Sequence, residues 1–107
     1  MHFYFGRKGE PVSREKAYAL FEDPTLRIVG KTRVGQARVS TVHLVVKHPC
    51  YTCELAEGFC SEALFETMIF GGPLSERQWR YHTLAEAVRG HAEAVKLAES
   101  LLAKKRP

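Results

Sequence analysis

The stretch from Leu26 to Lys47 constrains the fold more than any other part of the chain. Leu26 to Val34 and Ala37 to Lys47 are both rich in β-branched residues, and only Gly35-Gln36 separates them. A two-residue link between two such runs predicts a β-hairpin, with glycine where a type II′ turn needs positive φ. That turn sets Thr32 opposite Val39, Gly30 opposite Thr41 and Val29 opposite Val42. One face of the second strand then shows Val39, Thr41, His43 and Val45, the other Arg38, Ser40, Val42, Leu44 and Val46. Both faces turn apolar toward the strand's end, which predicts a central strand.

Other elements attach to this hairpin. Phe3-Tyr4-Phe5, closed by Gly6 and Gly9, reads as an initial strand and turn. Ser13 is placed to cap a short helix from Arg14 to Phe21, which Asp23-Pro24 ends because the residue before proline is pushed out of the helical region. A loop from His48 to Glu62 leads to a further strand, Ala63 to Phe70, that runs into Gly71-Gly72-Pro73. Ser75 and Gln78 have the spacing to open a short helical turn. Thr83 and Glu86 have the same spacing at the head of a long final helix with apolar Leu84, Val88, Val95, Ala98 and Leu102. The expected fold is α+β: an antiparallel sheet of about four strands with a short N-terminal and a long C-terminal helix packed on it.

With 107 residues the chain suits one domain spanning residues 1–107, and its 45% hydrophobic and 26% charged residues are ordinary for a globular protein. Apolar runs reach about eight residues, far from the roughly 18 that span a bilayer. The Met1-His2-Phe3 start lacks the charged opening and cleavage site of a secretory signal, so a cytoplasmic protein with no membrane partner is expected. The net charge is +4, but its basic residues are dispersed except at Lys104-Lys105-Arg106, and this pattern does not indicate nucleic-acid binding.

Three blocks of sequence carry a resemblance: Val-Ser-Thr-Val from Val39 to Val42 with His48 beyond it, Leu-Phe-Glu-Thr-Met-Ile-Phe-Gly-Gly-Pro-Leu from Leu64 to Leu74, and Trp-Arg-Tyr-His-Thr-Leu-Ala-Glu-Ala-Val-Arg-Gly-His from Trp79 to His91. Together with Glu10-Pro11-Val12 and Leu20 to Pro24, they resemble a family of small proteins encoded by bacteriophages and prophages. The cysteine loop departs from that family, which usually has a Gly- and Pro-rich loop there. The resemblance implies action on a host component or a host defence signal, in the host cytosol, and names no reaction.

Polar residues at positions that the pattern would make apolar are the first candidates for a site. Glu66 alternates with Leu64, Met68 and Phe70, so it needs an open face or a partner such as Arg80. His91 falls on the buried stripe of the final helix, either as a satisfied core histidine or as a site residue, and Gly90 beside it permits a close approach. His43 and His48 have opposite parity, so a regular strand cannot turn both to one face. Arg80 and Tyr81 precede a helix start, where a guanidinium and a phenol suit a phosphate. His48, Glu66, Arg80, Tyr81 and His91 are therefore the candidate ligand-binding set.

Cys50, Cys53 and Cys60 with His48 supply four zinc-type ligands within a short loop, so a structural zinc competes there with free thiols or a disulfide. The favoured functional reading is a binding protein for an anionic small ligand, such as a host nucleotide signal held in a counter-defence role. The alternatives are a phosphodiester or nucleotide hydrolase using histidine and glutamate, and a protein-binding inhibitor of a host enzyme. Two strand edges and uncovered apolar surface also make a homo-oligomer an expectation.

Overall fold

The structure, a computed structural model, describes residues 4–50 and 60–104. The element order is α1 (Arg14–Glu22), α2 (Pro24–Arg27), β1 (Ile28–Val34), β2 (Ala37–Cys50), β3 (Cys60–Phe70), β4 (Gln78–Tyr81) and α3 (Leu84–Lys104). The strands form one antiparallel sheet in the order β1-β2-β3-β4, with β2 and β3 in the middle. This is the α+β architecture expected from the sequence, with the long helix laid across the sheet.

The hairpin closes through Val34 opposite Ala37, with Gly35 at φ 59°. Thr32 faces Val39 and Gly30 faces Thr41, as the turn dictates. Beyond them a bulge intervenes, so Ile28 rather than Val29 stands opposite Val42. The extra residue turns Val29 toward the cluster of Phe65, Tyr81 and Leu84, which gives it an apolar environment.

Val39, Thr41, His43 and Val45 are all fully buried, as are Phe65, Thr67 and Ile69 of β3. The helices pack on this face. Ala94 and Ala98 of α3 sit on Val34, Val39 and Ile69, while Ala17 and Leu20 of α1 sit on Val45. Small side chains at Ala87, Ala94 and Ala98 let α3 lie close, so its buried stripe differs from the one its larger residues suggest. Val88 and Leu102, expected in that stripe, are 56% and 38% exposed.

Four further departures have local causes. Pro24 does not merely end α1: proline is well suited to the first turn of a helix, and Asp23, which accepts from Thr25 N, caps the short α2. Ser75 opens no helical turn; its hydroxyl accepts from Gly71 N, Glu76 takes φ 73°, and the chain enters β4 at Gln78. The fourth strand is therefore Gln78–Tyr81, whereas the N-terminal segment contributes only an isolated bridge between Phe5 and Pro11. Phe3, part of the expected first strand, lies outside the described residues.

The last departure lies within β2, which is not regular near its end. His43 pairs with Phe65 and His48 with Ala63, so β2 carries extra residues across this interval. Val45 takes φ 70° there, a left-handed conformation that costs a β-branched residue about 1–2 kcal/mol. Phe65 and Ala63 share one face of β3. The bulge therefore brings His48 to the same face as His43, the arrangement that a regular strand forbids.

Candidate functional site

The five ligand-binding candidates do not converge. Phe65 pairs with Tyr81 and Glu66 with Arg80, so strand alternation sends Glu66 and Arg80 to one face of the sheet and Tyr81 to the other. His91 lies with Tyr81, on the face that α3 covers. His48 stands opposite Ala63, two positions along β3 from Phe65.

Beneath α3 the polar residues form a closed chain. His91 Nε2 is 2.9 Å from Thr32 Oγ1, and Nδ1 is 2.7 Å from Thr41 Oγ1. The Thr41 hydroxyl bonds in turn to Thr67, and Thr67 to the Tyr81 phenol. Burial pushes the pKa of His91 down and that of Tyr81 up. A neutral imidazole has one donor and one acceptor nitrogen, so both of its nitrogens are used by the two threonines. Two glycines make the chain fit: a Cβ on Gly30 would come within 2.9 Å of the His91 ring, and one on Gly90 would overlap the tip of Tyr81. The close approach at Gly90 thus serves a side chain of the same molecule. His91 is a satisfied, half-buried histidine, and it pins helix to sheet.

Glu66 has the partner its position calls for. Arg80 Nε donates to Glu66 Oε2 at 2.8 Å across the β3–β4 register, with both side chains mostly buried, and Arg80 Nη1 donates to the Pro49 carbonyl at 2.7 Å. The pair fixes β4 and the end of β2 to β3. It lies on the sheet face opposite the helices.

That opposite face is the functional candidate. By alternation it carries Lys31 and Arg33 from β1, Arg38, Ser40, Val42 and Leu44 from β2, Glu66, Met68 and Phe70 from β3, and Arg80 from β4. Val42, Leu44 and Met68 are only half-buried, and Phe70 is 41% exposed. The Arg38 guanidinium stacks over the Phe70 ring at 5.2 Å. Among the described residues, Lys31, Arg33 and Arg38 have no carboxylate partner. In the sequence Arg38 and Phe70 show only as strand residues, because their pairing depends on the β2–β3 register.

Among the described residues, cavities also lie elsewhere. One of about 370 Å³ opens between the β1–β2 turn and the end of α3, walled by Val34, Ala37, Ile69, Leu74, Ala98 and Leu101 among others. Its aliphatic walls offer no group for acid/base chemistry. Another, of about 190 Å³, lies between Trp79 and Tyr81 of β4 and Glu93 and Leu97 of α3, and is small for a ligand pocket.

The β2–β3 register sets the backbones of Cys50 and Cys60 opposite one another. Cys53 lies outside the described residues, so the zinc set of His48, Cys50, Cys53 and Cys60 is not assembled among them. Among the described residues no group of three or more His, Cys, Asp or Glu is placed to hold a metal ion. No described helix is long and apolar enough to cross a membrane. No known protein family, curated protein or solved structure matches the chain.

Proposed function

We propose that the protein is a binding protein whose sheet face opposite the helices takes an anionic small ligand of the nucleotide class. The observation that carries this reading is the composition of that face: Lys31, Arg33 and Arg38, none with a carboxylate partner among the described residues, share it with half-buried Val42, Leu44, Met68 and the exposed Phe70 ring. Guanidinium groups give directional donors to phosphate, and an aromatic ring with neighbouring apolar side chains accepts the flat surface of a base. The Glu66–Arg80 pair then holds strand β4 in place at the margin of this surface.

The separation of Glu66 from His91 favours binding over hydrolysis. A general acid and base must both reach the same bond, whereas these two groups lie on opposite faces and are each engaged by neighbours. The resemblance of the Val39–Val42, Leu64–Leu74 and Trp79–His91 blocks to phage-encoded proteins supports sequestration of a host nucleotide signal as the setting.

Calorimetric titration with mono- and dinucleotides at two ionic strengths tests the reading. Saturable binding is expected, weaker at higher salt and about tenfold weaker in Arg38→Gln, since a charge-assisted hydrogen bond contributes about 1.5–3 kcal/mol. Conversion of the nucleotide to product, or an affinity unchanged in an Arg33→Gln/Arg38→Gln double variant, would refute it.

A further inference from the structure

Three buried side-chain nitrogens among the described residues lack a hydrogen-bond partner: Arg7 Nε and both ring nitrogens of His43. Native interiors rarely leave such atoms unpaired, and a group of them is the usual mark of an enclosed water or ion. His43 is fully buried in the middle of β2, with the Phe65 ring 5.1 Å away on one side. The N-terminal segment lies near it, where the Phe5 carbonyl approaches the ring without meeting hydrogen-bond geometry.

The charges near enough to act on His43 are Arg7 from the N-terminal turn, Arg27 from α2, and Glu10. Both guanidiniums are held to the sheet by backbone carbonyls: Arg7 Nη2 donates to Ile28 O at 3.3 Å, and Arg27 Nε to His43 O at 3.3 Å. Neither forms an ion pair with a carboxylate of the described residues. Glu10 does not fill that role, because its carboxylate is exposed and accepts from Lys8 N. Two half-buried cations therefore lie beside a buried imidazole with no carboxylate of the described residues in contact, an arrangement that favours a bound anion.

We propose that Arg7, Arg27 and His43 form a buried site for a small inorganic anion of halide or nitrate size, which accepts from Arg7 Nε and an imidazole N–H. A water molecule would satisfy the donors but bring no negative charge to the two guanidiniums. Occupancy favours protonation of the imidazole, which supplies a second donor, so anion affinity rises as pH falls. The anion also secures the N-terminal segment, whose Phe5 N donates to the carbonyl of the strained Val45 at 2.7 Å. This site is separate from the sheet face opposite the helices, and its failure would leave the nucleotide reading standing.

Bromide tests the site directly in the full-length protein. Crystals soaked in sodium bromide are expected to show an anomalous peak between Arg7 and His43. In solution, the unfolding midpoint should rise with the logarithm of bromide concentration relative to sodium gluconate at equal ionic strength, because gluconate is too large to enter. Arg7→Met should abolish that difference. A peak at the cluster that refines as water, or the same bromide dependence in wild type and Arg7→Met, would overturn the proposal. The anomalous measurement requires no variant and decides the matter if Arg7→Met does not fold.

Discussion

Replacing Gly90 with alanine should destabilise this protein, although the same change in most helix interiors stabilises. Alanine is favoured over glycine in a helix by about 1 kcal/mol. Here the added Cβ would fall on the end of the Tyr81 ring, which is itself hydrogen-bonded to Thr67. Either the helix shifts, or the phenol swings away and gives up that bond. Overpacking of this kind costs about 1–3 kcal/mol and the lost hydrogen bond about 1 kcal/mol, so a net loss of about 1–3 kcal/mol is expected.

A double-mutant cycle separates the steric effect from helix propensity. In a Tyr81→Leu background the tip of the ring is gone, and Gly90→Ala should become neutral or stabilising by up to about 1 kcal/mol. The coupling between the two sites is then about 1–4 kcal/mol. Urea unfolding followed by the fluorescence of Trp79, the chain's one tryptophan, measures all four proteins. Stabilisation by Gly90→Ala in the wild-type background, or the same effect in both backgrounds, would refute the packing of Tyr81 on Gly90.

Other consequences follow from the same structure. Glu66→Gln and Arg80→Gln, taken singly and together in unfolding experiments, should show a coupling of about 1 kcal/mol, reduced from the value of a fully enclosed pair because both side chains retain some solvent contact. The pKa of His43 is lowered first by burial and then by Arg7 and Arg27, and that of His91 by burial. The unfolded chain therefore binds more protons below about pH 6.5, and stability should fall as pH drops below that value. Urea midpoints at pH 7.5 and 5.5, in gluconate buffers free of halide, check this; an unchanged midpoint would contradict the lowered pKa of both rings.

The hairpin and the long helix were legible because their signals are local. Gly35 supplies positive φ at a two-residue link, and Thr83 accepts from Glu86 N at the head of α3. Strand β4 was not legible: Trp79-Arg80-Tyr81 is too short to show a period and reads as a lead into the helix. The bulge at Val45 carries no sequence mark either, since valine is among the residues least suited to positive φ, and tertiary packing holds it there.

The candidate site was legible only in its pairs. Glu66 with Arg80 could be anticipated from a polar residue on an apolar alternation, and His91 from its place on the helical stripe. Their assignment to opposite faces depends on the β3–β4 register, which no local signal specified. Arg7 and Arg27 looked like ordinary dispersed basic residues, and their convergence on His43 needs the N-terminal segment, α2 and β2 folded together.

Whether the sheet face opposite the helices is the ligand surface is tested most directly by mapping backbone amide shifts during titration with nucleotides. Progressive changes confined to Lys31, Arg33, Arg38, Ser40, Met68, Phe70 and their strand neighbours are expected. Changes centred on His91 and the α3 residues around it, or none at saturating nucleotide, would contradict it.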